Sequence, residues 1–458
     1  MKTKLNVSFS GVLLIIAFSA VALFTGCSKE VLNDSLPQQK SAAVVQNDLT
    51  TEELVMNLVF NIKPGTMPKS EIERMYSLLT SSLSDQGKQA FRTLFDNYKG
   101  YNGNTVVSSV VKTEGVEKIL EGKAPADEFG RSVASCEKTL VVAASGSGKV
   151  YVYTKRNGSY ALIQTLAPGL AEFSIVASVA VNEKNIVIGA PSFMGGQVFI
   201  YKKSGNKWVE SDIIESQGKA MFGSDVVLKE NRLAILSLDF AMGSFISIYQ
   251  RIEKAWVLSG EIAQPFVFIL DIDMDEDYIV GNGMSFTSPF PAAYIFKEQE
   301  SVWSLEANVE LPGFMYGSIA INESTIVANT FMGIGGFTGN DGKNYIIRRQ
   351  GGVWSITNVI QIPQVLSLPA LNKLDISEHT LVVTSPLGIE NFPGDAAFVY
   401  RKSEGAWTLK RTLVPGDGGA NYDFGSSVLL NKSEVIVGAV NSMFNMADPG
   451  RVYVYDSH

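Results

Sequence analysis

Residues 185–208 read NIVIGAPSFMGGQVFIYKKSGNKW. An apolar run from Asn185 gives way to a Gly-rich turn; a second run, VFIY at 198–201, gives way to the polar turn KKSGN, and Trp208 follows. Short β-branched and aromatic runs broken by turn residues are strand chemistry, because branched side chains fit a pleated surface and glycine reverses the chain without steric cost. VFIY returns as VYVY at 150–153, ISIY at 246–249, AYIF at 293–296, YIIR at 345–348, AFVY at 397–400 and VYVY at 452–455. Ahead of these copies stand TLVVAAS from Thr139, RLAILSL from Arg232, YIVGNG from Tyr278, TIVANT from Thr325, TLVVTSP from Thr380 and EVIVGAV from Glu434. One aromatic closes each of the first six copies: Tyr160, Trp208, Trp256, Trp303, Trp354 and Trp407, at intervals of 48, 48, 47, 51 and 53 by subtraction.

A further strand, opened by Phe129-Gly130, Phe173-Ser174, Phe222-Gly223, Tyr316-Gly317 or Phe424-Gly425, precedes five of the copies. Each unit therefore holds four short strands, which is the content of one propeller blade, and strand runs this closely spaced exclude a helical repeat. The order FG, then a strand ending Gly189-Ala190-Pro191, then VFIY, then Trp208 resembles the FG-GAP repeat of integrin-alpha-like propellers. WD dipeptides and the kelch double-glycine pattern are missing. The resemblance runs from residue 115 to the end and implies an all-β, seven-bladed β-propeller of four-stranded blades. Its blades are expected near 128–167, 168–214, 215–262, 263–311, 312–362, 363–413 and 414–458. After the seventh VYVY only Asp456, Ser457 and His458 remain, so the last blade lacks a fourth strand. GVEKILEGKAPADEFG at 115–130 aligns with AWTLKRTLVPGDGGANYDFG at 406–425, which assigns 115–121 as that strand and closes the ring. Closure removes the pairing edge that an open array would expose.

The N-terminus has another chemistry. Lys2 and Lys4 precede an apolar run, GVLLIIAFSAVALF at 11–24, which is short for a membrane span and suited to a signal peptide. It ends in Leu23-Phe24-Thr25-Gly26-Cys27, which resembles a bacterial lipobox. The resemblance implies removal of residues 1–26, acylation of Cys27 and a Bacteroidota-like lipoprotein. Ser28, where an acidic residue would retain the protein at the inner membrane, implies the outer membrane, on its periplasmic side or at the cell surface. Residues 27–48 are polar without a period and read as a flexible tether. Thr50 with Glu53 and Ser70 with Glu73 are capping boxes, followed by apolar residues at helical spacing, so 49–98 is expected to be a small α-helical segment.

Composition excludes several functions. With 38 Lys and Arg against 46 Asp and Glu, the net charge is −8 and the pI near 5.1, the opposite of a nucleic-acid binder. Two His and two Cys leave no disulfide framework, no paired-cysteine metal site and, with His458 the last residue of the sequence, His379 alone as imidazole for a catalytic triad. Cys136 falls in a strand and reads as a small core residue. Calcium is the ion the family resemblance would imply, through DxDxDG loops between first and second strands. Asp271, Asp273, Asp275 and Asp277 alternate correctly in DIDMDED, but the glycine needed for the sharp turn is absent and Ile272 and Met274 read as the buried face of a strand. No metal and no cofactor are expected.

Blade topology sorts the loops. First-to-second turns (VNEKN, LKENR, INEST, ISEHT, LNKSE) and third-to-fourth turns share one face, where Lys155, Arg156, Lys202, Lys203, Arg348, Arg349, Arg401 and Lys402 form a basic rim. Solvated hairpin turns are the preferred explanation of the rim, since turn residues are normally charged, and an anionic surface polymer or lipid is the sharper alternative. The opposite face collects the long second-to-third connections, with Phe286, Phe290, Phe331, Met332, Phe337, Phe392, Met443, Phe444 and Met446. Apolar residues in loops on a rigid scaffold mark either an interaction surface or a covering over the blades or for the N-terminal helices. The expected function is a non-catalytic binding, adhesion or scaffolding module of an outer-membrane or surface lipoprotein. It would be held to the membrane by its lipid and engage a protein or glycan through the long-loop face, with its oligomeric state left open. The alternative is a glycan-active hydrolase or lyase using acidic residues in the central channel.

Overall fold

The computed structural model describes residues 118–239, 242–285, 288, 290–312, 315–331, 343–362, 373–385, 396–416, 422–441 and 448–456. They form seven antiparallel four-stranded sheets. In the first blade the strands are Phe129–Cys136, Thr139–Ala144, Lys149–Arg156 and Ser159–Leu166, paired in sequence order. The other blades open with first strands Ser178–Val181, Asp225–Lys229, Val267–Met274, Met315–Asn322, Leu374–Ile376 and Tyr422–Leu430. Each first strand packs beside the first strand of the next blade, and that of the seventh packs beside that of the first, so the sheets close into a seven-bladed propeller around a central channel. The expected helical segment at 49–98 lies outside the described residues.

Closure uses the strand predicted from the N-terminal alignment. Lys118–Glu121 pairs antiparallel with Arg451–Asp456, aligning Lys118 with Val454 and Glu121 with Arg451. The same seam carries a second clasp. Glu434, 1% exposed in the seventh blade, accepts a hydrogen bond from Tyr160 Oη at 2.7 Å and faces Lys155 Nζ at 2.9 Å, both in the first blade. Burial pushes its carboxyl up, but Lys155, Tyr160 and Asn431 outweigh that and hold it below its ordinary value.

Blade stacking explains the sequence pattern. Second and third strands lie between neighbouring sheets, so Asn185–Ser192 is buried along nearly its whole length and its apolar run is continuous rather than alternating. Fourth strands stand at the periphery, and Ser159–Leu166 alternates between exposed and part-buried positions. The FG and GAP glycines meet across blade boundaries. Gly223 has φ +87°, and a Cβ on Gly189 would sit 2.2 Å from the Gly223 carbonyl oxygen. Gly438 stands in the same relation to the Gly130 oxygen, at 2.1 Å. Where the small residue is lost, a polar side chain spans the joint. Asn282 Nδ2 donates to the Ser318 carbonyl oxygen at 3.1 Å, and Thr384 Oγ1 donates to that of Gly425 at 2.8 Å. The degenerate GAP copies thus keep the blade contact by other means.

Phe173-Ser174 corrects the expected pattern. Phe129, Phe222 and Phe424 are buried, whereas Phe173 lies in an exposed turn and the second blade opens only at Ser178.

Candidate functional site

Two places on the propeller gather chemistry: the channel and the face from which the second-to-third connections leave. In the channel, one position per first strand stands immediately before a Val, Ile or Leu: Ser132, Ser178, Asp225, Asp271, Ser318, Lys373 and Ser427. Its hydroxyl or carboxylate repeatedly receives a backbone N–H from the next blade. Val179 donates to Ser132 Oγ at 3.1 Å, Val226 to Ser178 Oγ at 3.3 Å, Ile272 to Asp225 Oδ2 at 3.1 Å and Ile319 to Asp271 Oδ2 at 2.8 Å. A first strand has an unpaired edge toward the channel, and its N–H groups need acceptors because an unmade buried bond costs about 1–3 kcal/mol. Two residues on, Asp273 accepts from Ile321 at 2.8 Å and Asp375 from Leu430 at 2.6 Å; Asp275 accepts from Ser324 at 3.2 Å.

Residues 271–274 of the DIDMDED run are therefore strand, and the carboxylates of Asp271, Asp273 and Asp275 hold the fifth blade. Ile272 and Met274 are buried between them, as read from the sequence. Asp277 sits in the turn that follows, its N–H bonded to Asp275 Oδ1 at 3.0 Å. Among the described residues, no group of three or more His, Cys, Asp or Glu is placed to hold a metal ion.

Lys373 crosses the channel. It stands on the sixth blade, and its Nζ donates to Asp271 Oδ1, two blades away, at 2.9 Å, while Ser318 Oγ donates to Asp271 Oδ2 at 2.7 Å. The lysine is surrounded by protein yet keeps 37% of its side chain accessible, as expected of a group in a lumen. Burial opposes its charge, but Asp271 and Asp225 more than compensate and raise its pKa. Burial, then the Asp271 charge, pushes the Asp225 carboxyl up to about 6, against the pull of Ile272 N–H, Lys373 and Ser178. Burial pushes Asp273 up to about 7, with a smaller contribution from Asp375, against N–H donors and Lys229. Asp375 rises to about 6 by burial. Protonatable carboxyls near neutrality are what acid–base chemistry requires. Here, however, both oxygens of Asp225, Asp271, Asp273 and Asp375 already accept hydrogen bonds.

Sequence reasoning had not singled out Asp225, Lys373 or Asp375. The signal was present, since the position recurs at intervals of 46, 47, 46, 47, 55 and 54 by subtraction. Its residue type alternates between serine, aspartate and lysine, and that variation hid it. Neither His379 nor Cys136 joins the channel groups. His379 is exposed in its turn, 3.3 Å from Glu378. Cys136 packs part-buried against the core of the first two blades, and burial raises its thiol pKa.

The second place is the opposite end of the strands from the basic turns. Exposed there, in second-to-third or fourth-to-first connections, are Phe173, Phe193, Met194, Met242, Phe266 and Phe290. Of the residues predicted for this face, Phe290 is thus exposed as expected, and Phe331 ends the strand Thr325–Phe331. Phe286, Met332, Phe337, Phe392, Met443, Phe444 and Met446 lie outside the described residues, as does Cys27. At the basic rim Lys155 is engaged by Glu434, Arg349 by Glu306 at 2.8 Å, and Lys203 lies over the Trp208 ring. Those partners belong to the blades, which favours the structural explanation of the rim.

Residues 407–455 match the FG-GAP repeat family. That segment covers the outer strand of the sixth blade and most of the seventh, including Phe424-Gly425 and Gly438. No curated protein matches the chain. Solved structures similar to it include the WD40 β-propeller domain of Doa1, 11% identical over 75% of this chain and 98% of that one, with a TM-score of 0.48. The WD40 domain of Toxoplasma gondii coronin is 9% identical over 74% and 86%, with a TM-score of 0.48. A protein from Lactobacillus plantarum is 13% identical over 63% and 84%, with a TM-score of 0.46.

Proposed function

We propose that the chain is an outer-membrane or surface lipoprotein, anchored through Cys27, whose propeller is a non-catalytic binding or scaffolding module for a protein or glycan. The observation that carries the binding role is the set of exposed phenylalanines and methionines on short turns at one face of a rigid ring. Exposed apolar side chains gathered on one face favour association, because each contact removes apolar surface from water. The channel carboxylates support the same reading from the other side: a catalytic acid there would have to break a blade-to-blade hydrogen bond in each turnover.

A photo-crosslinking phenylalanine analogue at Phe193 or Phe290, in cells expressing the full chain, is expected to capture a discrete ligand. The same analogue at Val302, exposed at the periphery of the fourth blade, is expected to capture none. Equal capture at all three positions, or none at any, rejects the binding face. Cys27→Ser is expected to release the protein from the membrane fraction; unchanged fractionation rejects the anchor. The raised carboxyls of Asp225, Asp273 and Asp375 favour the glycan-active enzyme as second reading, and glycan turnover abolished by Asp225→Asn in a folded protein would establish it.

A further inference from the structure

Phe173 and Phe266 are exposed, at 82% and 58%, and both hold left-handed backbone, with φ of +65° and +61°. Bulky residues rarely adopt that conformation, and its strain persists only where surrounding structure enforces it. Met221 has the same geometry, φ +51°, but is 5% exposed, so packing compensates for it. Backbone hydrogen bonds hold both turns, Phe266 N–H donating to the Met242 carbonyl oxygen at 3.1 Å and Ser174 N–H to that of Ala171 at 3.1 Å, while the two rings themselves stay exposed. Phe193, Met194, Met242 and Phe290 stand on the same face, so the six side chains are displayed in chain order along one end of the second, third and fourth blades, as an arc of apolar tips.

The charges around the arc are mostly acidic. Among the described residues of this face between 167 and 317, outside the channel, the carboxylates are Glu172, Glu215, Asp239, Glu261 and Glu310. The cation is Lys219, neutralised by Glu261 at 2.7 Å. An acidic border around an apolar strip selects a partner that is apolar and basic. It repels anionic lipid, and the six tips include neither the Trp and Tyr anchors nor the Lys and Arg that hold proteins at a bilayer surface. Phenylalanine and methionine also offer almost no hydrogen bonding to sugar hydroxyls.

We infer that this arc binds a cationic amphipathic polypeptide segment of a partner protein. The inference rests on the binding role proposed above and names its partner class. Such a segment lays its apolar side on the Phe and Met tips and sets its basic residues against the exposed Glu172, Glu215 and Glu310. Methionine suits this, since its unbranched side chain repacks around varied apolar partners.

The test titrates the full chain with a fluorescein-labelled amphipathic peptide of Leu and Lys, its Leu and Glu counterpart, phosphatidylglycerol-containing vesicles and a soluble oligosaccharide. Saturable binding is expected for the Leu–Lys peptide alone. The triple variant Phe173→Ser, Met194→Ser, Phe266→Ser should weaken it by roughly tenfold or more. Glu172→Gln, Glu215→Gln, Glu310→Gln should weaken it and flatten its salt dependence. Both variants replace surface groups and are expected to melt cooperatively, which separates lost binding from lost folding. Absence of saturable Leu–Lys binding overturns the inference. Binding of the acidic peptide, the vesicles or the oligosaccharide that the Phe and Met variant abolishes overturns the partner class and leaves the binding face standing. Leu–Lys binding unchanged in that variant overturns both.

Discussion

Lowering the pH from 8 to 5 should stabilise this propeller. Asp273, Asp225 and Asp375 have carboxyls raised to about 7, 6 and 6 from an ordinary 3.8, so in this interval the folded chain binds protons that the unfolded chain does not. Stability rises as pH falls wherever the folded state holds the extra protons. The gain develops as pH passes down through 7 and 6 and would stop below about 4, where the unfolded carboxyls also fill. For pH 8 to 5 the linkage relation gives about 2–3 kcal/mol for Asp273 and about 1 kcal/mol each for Asp225 and Asp375. A total near 5 kcal/mol corresponds to a rise of roughly 10 °C in melting temperature for a domain of this size. Glu434, whose pKa is lowered, acts in the opposite direction and only below its ordinary range, so it does not mask the effect. Thermal unfolding followed by circular dichroism at constant ionic strength measures the change. Asp273→Asn should remove the largest part of the slope, because the amide cannot take up the proton. A melting temperature that is flat or falls between pH 8 and pH 5, or an unchanged slope in Asp273→Asn, would refute the account of the channel.

Three other outcomes follow from the blade contacts. Deleting 118–121 removes the fourth strand of the seventh blade and uncovers the pairing edge of Arg451–Asp456; loss of the cooperative transition or aggregation is expected, and an unchanged melting temperature rejects closure by this strand. Gly438→Val places a branched side chain where even a Cβ meets the Gly130 oxygen at 2.1 Å, and should destabilise by about 3 kcal/mol or more in urea unfolding; wild-type stability would show that the joint can open. Asp271→Ala leaves the Ile319 N–H without its acceptor and Lys373 without its partner, and should cost about 2–3 kcal/mol. A cycle with Lys373→Met should show coupling of about 0.5 kcal/mol or more, and zero coupling would mean the ion pair across the channel is not formed.

Much of the channel was legible in principle. Once first strands are aligned on a recurring Val, Ile or Leu, the position before it collects Ser132, Ser178, Asp225, Asp271, Ser318, Lys373 and Ser427. The run at 271–277 attracted notice through its alternating carboxylates, and alternation is equally the mark of a strand and of a calcium loop. What separates the two is the destination of the carboxylates, here N–H groups of the next blade about 48 residues later. Phe173 misled for a similar reason: Phe-Ser in the expected place looked like an FG opening, but the missing glycine left no residue to make the buried left-handed turn that Gly223 makes.

The sequence by itself determined the strand count, the seven-fold repeat and the use of an N-terminal strand to complete the last blade, because each follows from local alternation, turn residues and a period that survives mutation. It did not reveal the register shift that recurs between third and fourth strands, at Val152/Tyr153, Ile200/Tyr201, Ile248/Tyr249, Ile295/Phe296, Ile346/Ile347 and Val399/Tyr400. Nor did it show that Lys373 reaches Asp271 or that Glu434 clasps Lys155 and Tyr160. These depend on how far one sheet is rotated against the next, and that angle is set by the closing of seven twisted sheets into one ring. Tertiary structure alone therefore decided which carboxylates accept hydrogen bonds from the next blade, and which of them meets a lysine.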